Sequence, residues 1–229
     1  MWLREVTPAA VQVQLHRELN PRLWENGYLR SDIAERLLKI ARAFEEFVGV
    51  DFSVKDITLT GSNAGYTYTA HSDLDLHLIV EGPFTEEQAE LYKAKKQIWN
   101  DQHELAIAGS PVECYIQDSR EPHYSQGQYS ILNRRWIRQP SKQKPDLDDA
   151  AIDAKTRDFA MIALAVLQTG DRELLKKYRE RLSKLRRAGL ARAGEWSTEN
   201  YVFKNLRKLG IIDQIAKREQ ELAQLDLEN

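Results

Sequence analysis

The chain has 229 residues, 42% of them hydrophobic and 30% charged, with a formal net charge of −2. That profile is globular, with length for one large domain or two smaller ones, and it excludes a fibrous or low-complexity chain. A single cysteine, Cys114, excludes an intrachain disulfide and a multi-cysteine zinc site, and no apolar stretch approaches the roughly 18 residues that would span a bilayer.

In chain order, Val6 to Leu19 predicts a short helix closed by Asn20-Pro21, and Trp24 and Tyr28 are expected on the core. Asp32 with Glu35 forms a capping-box pattern opening a helix. Its apolar residues Ile33, Leu37, Ile40, Ala41, Phe44, Phe47 and Val48 recur at helical spacing, and Gly49 ends it. A strand is expected near 54–60, built on the β-branched run Ile57-Thr58-Leu59-Thr60, then a Gly61-Ser62 turn and a second strand at 73–80. Gly82-Pro83 breaks that strand, and Thr85 with Gln88 opens a helix running to about Ala106. Gly109-Ser110-Pro111 turns the chain into a third strand, Val112 to Ile116, with Val112, Cys114 and Ile116 inward and Cys114 a buried small hydrophobe.

Residues 118–149, with Pro122, Pro140 and Pro145, read as a long loop holding one short strand at Tyr129–Leu132. From Asp148 the pattern is helical: one helix to Gly170, a second from Asp171 to about Ala188, a third from Ser197 to Leu209 ended by Gly210, and a last one from Ile211. The expected division is residues 1–147 and 148–229. The start Met1-Trp2-Leu3-Arg4-Glu5 lacks the basic and apolar parts of a signal peptide, so the expected location is cytoplasmic, with no membrane partner.

The most informative stretch runs from Gly61-Ser62 to Ser72-Asp73-Leu74-Asp75-Leu76-His77. A period of two puts Asp73, Asp75 and His77 on one face of the strand and Leu74, Leu76 and Leu78 on the other. Two carboxylates on one face repel each other, and a hard cation held through oxygens is a reason for them to stay.

Gly-Ser, a spacer of about ten residues, and Ser-Asp-x-Asp resemble the pattern of the DNA polymerase β-like nucleotidyltransferase superfamily, with Ala64 where small residues are common. The chain departs from that pattern where Asn63 and Tyr66 replace the usual Arg or Lys and Gly, with Gly65 one position early, which bears on the triphosphate contacts. The resemblance covers roughly residues 32–118. It implies an α+β fold: a small mixed sheet with flanking helices as catalytic core, followed here by a C-terminal helical bundle. It also implies metal-dependent transfer of a nucleoside monophosphate from an NTP to an acceptor hydroxyl, with release of pyrophosphate. Two Mg²⁺ or Mn²⁺ ions would be held by Asp73, Asp75 and a third carboxylate that can serve as general base. Glu113 is the expected third acid, because alternation sets Glu113, Tyr115 and Gln117 opposite to Val112, Cys114 and Ile116; Asp118 is the fallback. Gly61 and Ser62 would bind the nucleotide phosphates, Gly61 by close backbone approach and Ser62 through its hydroxyl or backbone N–H. The segments Glu121-Pro122-His123-Tyr124-Ser125 and Gly189 to Arg207 are similar to uncharacterised nucleotidyltransferase-like proteins of bacteriophages and bacteria.

Other candidates have bland alternatives beside them. His77 either orients a metal-bound carboxylate or is a partly buried structural residue; His71, Thr67, Tyr68 and Thr69 either meet the nucleotide or are solvated or packed in the turn. Arg134, Arg135 and Arg138 either clamp a triphosphate bidentately or are surface arginines. Tyr124 and Trp136 either stack on a base or pack on the core. Residues 172–208 carry twelve Lys or Arg against four acids, so that segment is +8 and the remainder −10. It is either a nucleic-acid or other polyanion surface or a solvated helical face. The alternative to an enzyme is a catalytically degenerate nucleotide- or nucleic-acid-binding module of the same fold.

Overall fold

The computed structural model describes residues 15–49, 53–70, 72–142 and 147–228, without the side chains of 226–228. These residues fall into two compact units, the first ending at 142 and the second beginning at 147. The fold is α+β. The first unit opens with the short hairpin β1 (Trp24–Glu25) and β2 (Tyr28–Leu29), followed by α1 (Ser31–Val48), β3 (Val54–Thr60), β4 (Leu74–Val80), α2 (Glu86–Gln102), β5 (Ala106–Ile107), β6 (Ser110–Asp118), β7 (Gln128–Ser130) and β8 (Arg135–Arg138).

Six strands form one mixed sheet in the order β5-β6-β4-β3-β7-β8. The central pair β3–β4 is antiparallel, joined through the Gly61–Ser62 turn, and β4–β6 is parallel, joined through α2. Alternation is strict on β4: Leu74, Leu76, Leu78 and Val80 are fully buried, while Asp75, His77 and Ile79 are half-buried on the other face. The apolar face, continued by Ile57, Leu59, Val112 and Cys114, closes on Ile33, Leu37, Ala41, Phe44 and Val48 of α1 and on Tyr92 and Trp99 of α2. Burial raises the Cys114 thiol to about 12, so it stays a neutral hydrophobe.

The caps explain where the helices begin. Thr85 and Gln88 form the expected reciprocal capping box. The Asp32–Glu35 box does not form: α1 starts two residues earlier, Arg30 stands at its N-cap without a side-chain bond, and Asp32 pairs with Arg30 at 3.3 Å. The helix α2 stops at Gln102 rather than near Ala106, because the chain turns into a β5–β6 hairpin whose Ala108 and Gly109 both take positive φ, 53° and 83°, as primed two-residue turns require. The Asn100 side chain meets the backbone of Cys114 twice: Oδ1 accepts from its N–H at 3.0 Å and Nδ2 donates to its C=O at 3.2 Å.

Residues 15–20 are not helical, and the rest of the predicted Val6 helix lies outside the described residues. His16 instead stacks on Tyr68 at 3.9 Å. Trp24 is buried as expected, stacked on Trp136 at 4.7 Å, whereas Tyr28 is 61% exposed rather than on the core. The region after β6 holds two strands, β7 and β8, added to the free edge of β3.

The second unit is helical: α3 (Asp149–Thr169), α4 (Arg172–Ala193), α5 (Thr198–Lys208) and α6 (Ile211–Glu228). Gly170 ends α3 in the left-handed conformation, and Ser197 caps α5 by accepting from the N–H of Asn200. Helix α4 runs five residues past the expected Ala188. The helices close around Phe159, Leu175, Tyr178, Leu182, Tyr201, Val202, Leu206 and Ile215. Part of the basic segment serves this packing: Arg179 pairs with Glu219, Arg192 with Glu199, and Arg181 lies over the Phe159 ring. Lys176, Lys177, Lys184 and Arg187 remain exposed on α4. Among the described residues no helix is long and apolar enough to cross a membrane.

Candidate active site

The loop between β3 and β4 brings the sequence motif together. Gly61 ends β3 with φ 75°, and a Cβ there would collide with Oδ2 of Asp75, so only glycine admits that carboxylate against the turn. Ser62 opens a single 3₁₀ turn, Ser62–Ala64. Its hydroxyl donates to the Ser72 hydroxyl at 2.8 Å, which joins the two ends of the loop across ten residues of chain. Ser72 Oγ in turn accepts from the N–H of Thr69 at 2.9 Å. Gly61 N–H is already engaged, donating to Ser125 Oγ at 2.9 Å.

Asn63 carries no signal in the sequence beyond its departure from the family pattern, yet it holds the loop. It is fully buried, its Nδ2 donates to the carbonyls of both Ser72 and Asp73 at 2.9 Å, and its Oδ1 accepts from Asn20. Trp24 Nε1 adds a bond to the Asn63 carbonyl at 2.8 Å. An amide can fix two strand carbonyls in this way because it offers two N–H groups in one plane.

Asp73 precedes β4 and Asp75 lies on it; both are half-buried. In register, Asp75 sits between Thr60 on β3 and Glu113 on β6. Glu113 is therefore on the strand adjoining Asp75 and level with it. Asp118 pairs with Val80, five residues further along the strands, roughly 16 Å away at about 3.3 Å per residue. Its carboxylate is held by Arg120, whose hydrogen bonds keep it below the usual carboxylate range, so the fallback acid is bound elsewhere. Glu113 Oε2 accepts from the Tyr115 hydroxyl, and the residue also borders an open cleft of about 580 Å³ lined by Lys96, Asn100, His103 and Glu104.

Beyond the aspartates the same face carries His77 and Tyr115, stacked at 4.7 Å, with Lys96 Nζ 3.8 Å from the Tyr115 ring centre. His123 meets His77 edge-on at 5.6 Å. Burial first, then His123, lowers His77 to about 3; burial, then Arg138, lowers His123 to about 4, so both are neutral at pH 7. His77 is thus a neutral neighbour of the carboxylates. Of the three arginines, Arg134 donates to Ser31 Oγ and Arg138 to the carbonyls of His123 and Ser125, while Arg135 is exposed on β8. Trp136 packs on the core and Tyr124 is 39% exposed. His71 lies outside the described residues.

The donor chemistry of Asp73, Asp75 and Glu113 is all oxygen, which fits a hard divalent cation. Among the described residues, no three His, Cys, Asp or Glu side chains are already gathered as an ion cage; Glu113 is turned along its own strand towards Tyr115.

Residues 37–118 match the family model described as "Nucleotidyltransferase domain", a stretch that contains the Gly61–Ser62 turn, both aspartates and Glu113. No curated protein and no solved structure gives a match. Residues 37–118 therefore form a nucleotidyltransferase domain, a match that supports the polymerase β-like superfamily.

Proposed function

We propose that this domain moves a nucleoside monophosphate from an NTP to an acceptor hydroxyl and releases pyrophosphate. The observation that carries the reading is the packing of Asp75 against Gly61, level with Glu113 on the next strand. It puts a carboxylate beside a glycine turn and level with a second carboxylate, which supports the reading. In the reaction the acceptor oxygen bonds to the α-phosphorus, the bond from that phosphorus to the β-phosphate oxygen breaks, and the hydroxyl proton leaves. Glu113 would take that proton at Oε1, since the Tyr115 hydroxyl occupies Oε2. Asp73, Asp75 and Glu113 would hold Mg²⁺ or Mn²⁺, two ions in this kind of site, supplying charge neutralisation on the triphosphate and a lowered pKa at the attacking hydroxyl. The Ser62 hydroxyl donates its hydrogen bond to Ser72 Oγ, so its backbone N–H would be the donor for a phosphate.

In this reading residues 1–147 do the chemistry, and the helices of 148–229 present the exposed Lys176, Lys177, Lys184 and Arg187 to a polyanionic acceptor such as a nucleic acid. A cytoplasmic location, where NTPs and Mg²⁺ are abundant, suits the reaction. ATP is the first nucleotide to test.

A second reading, a nucleotide-binding module without transfer, is favoured by one observation: the three carboxylates do not stand as a ready cage. One experiment separates the two. The protein is incubated with each α-labelled NTP, Mg²⁺ or Mn²⁺, and RNA, DNA, lysate protein or no acceptor, with Asp73→Ala/Asp75→Ala as control. Label entering one pool and lost in the variant supports transfer. Metal-dependent NTP binding without label in any pool supports the binding module.

A further inference from the structure

The segment between β6 and β7 has no part in the transfer above, yet it is built onto the phosphate turn. Ser125 is buried, and its hydroxyl is the acceptor for Gly61 N–H. Two residues on, Gly127 touches the far end of the same turn so closely that a Cβ would collide with the carbonyl oxygen of Ala64. His123 lies against His77, two residues along β4 from Asp75. The segment is tied down from outside by Arg138 on β8, which donates from one guanidinium nitrogen to the carbonyls of His123 at 2.9 Å and Ser125 at 3.1 Å. One short stretch thus meets both ends of the turn and the strand of Asp75.

We propose that residues 121–127 form a strap that sets the Gly61–Ser62 turn in its phosphate-binding geometry, with Ser125 as positioning residue and Arg138 as anchor. The proposal rests on the nucleotidyltransferase reading. A glycine with φ 75° has no side chain to fix its peptide plane. The Ser125 hydroxyl fixes the plane on the Thr60 side of Gly61, and Gly127 against the Ala64 carbonyl bounds the other end, so the turn that carries the Ser62 N–H is held from both sides. The guanidinium binds two strap carbonyls at once, so Ser125 is held without using its own side chain. The arrangement is a support whose loss loosens a site while leaving its groups present.

The test uses the full chain and Mg·ATP, with titration of binding and, separately, the melting temperature without ligand. Ser125→Ala is expected to weaken Mg·ATP binding about tenfold, the usual scale for a supporting residue, with Ser125→Thr restoring it to within about threefold. Arg138→Gln is expected to weaken it similarly, and Arg138→Lys, which keeps the charge and loses the planar fork, to fall between. Lys55→Ala, at the far end of β3, is expected to bind as the unaltered chain does. Wild-type affinity in Ser125→Ala overturns the strap, and so does weakening that Ser125→Thr fails to rescue, which marks a merely structural residue. If the unaltered chain binds no NTP with metal at all, the nucleotidyltransferase reading fails and the strap with it. That outcome is distinct from tight binding that ignores Ser125.

Discussion

The two faces of the six-stranded sheet are written by the same strands and obey opposite rules. On one, Leu59, Leu74, Leu76, Leu78 and Cys114 are fully buried against α1 and α2. On the other, Thr58, Thr60, Asp75, His77, Glu113, Tyr115 and Gln117 lie at the same levels, and three of their polar atoms have no hydrogen-bond partner among the described residues: Thr58 Oγ1, His77 Nδ1 and Gln117 Oε1. Such groups are costly to bury. The apolar face stabilises the fold, and the polar face spends part of that stability on a site, as functional surfaces generally do.

The sharpest test of this division uses two consecutive residues. Leu76→Ala is expected to cost about 2–5 kcal/mol, as a large core truncation does, read as a lower urea midpoint. Asp75→Asn should abolish transfer and metal-dependent nucleotide binding while the midpoint stays level or rises, because a carboxylate repulsion is removed. If Asp75→Asn destabilises as much as Leu76→Ala, the division is wrong.

Asn63 joins the faces through the loop that connects them. Asn63→Ala leaves the Ser72 and Asp73 carbonyls and the Asn20 amide without their partner. A loss of about 1–3 kcal/mol is expected, with weaker nucleotide binding than the melting change alone predicts.

The polar face should also respond to acid. The folded-state values of His77 and His123, about 3 and about 4, lie below the unfolded value near 6.5. The unfolded chain therefore takes up protons first as pH falls. The stability is fully present above about pH 6.5 and is lost as pH falls towards 4, about 2 kcal/mol between pH 7 and 5 from the deeply buried His77 and less from His123. The groups facing this pair are Tyr115, Gln117, Lys96 and Arg138. Replacing both histidines with Gln should flatten the slope of unfolding free energy against pH over that range; an unchanged slope would remove them as its source. The smallest effect is reserved for the rim, where Lys55 and Glu81 form an exposed pair. Lys55→Ala should shift stability by less than about 1 kcal/mol.

What could be read from the sequence follows the same division. Alternation along 74–80 names both faces of β4, and the Gly-Ser to Asp-x-Asp spacing points to the turn, because both are local patterns. Thr85 and Gln88 are readable for the same reason. The strap is not, because Ser125 meets Gly61 from 64 residues away and a single serine has no periodicity. The expected short strand at Tyr129–Leu132 is β7, found at Gln128–Ser130, whereas β8, four residues long, shows no pattern before β7 supplies an edge. Residues 15–19 belong to the expected Val6–Leu19 helix, but contacts of His16 to Tyr68 and of the next residue, Asn20, to Asn63 hold the chain otherwise. The Asp32–Glu35 pattern misses the helix start by two residues, a distinction propensity does not resolve.

The side chain of Asn100 has a consequence for how the molecule behaves in a crowd. Strand β6 borders β4 on one side; on the other it pairs with β5 through Ser110 and Pro111 and Val112 N–H donates to the Leu105 carbonyl, so the stretch beyond Val112 is a border that another chain's strand could join. By offering Cys114 one acceptor and one donor in the spacing a neighbouring backbone would use, Asn100 acts as a single-residue counterfeit of that neighbour. The border is thereby closed to strand addition at its middle, and self-association through it is discouraged without a further strand being built.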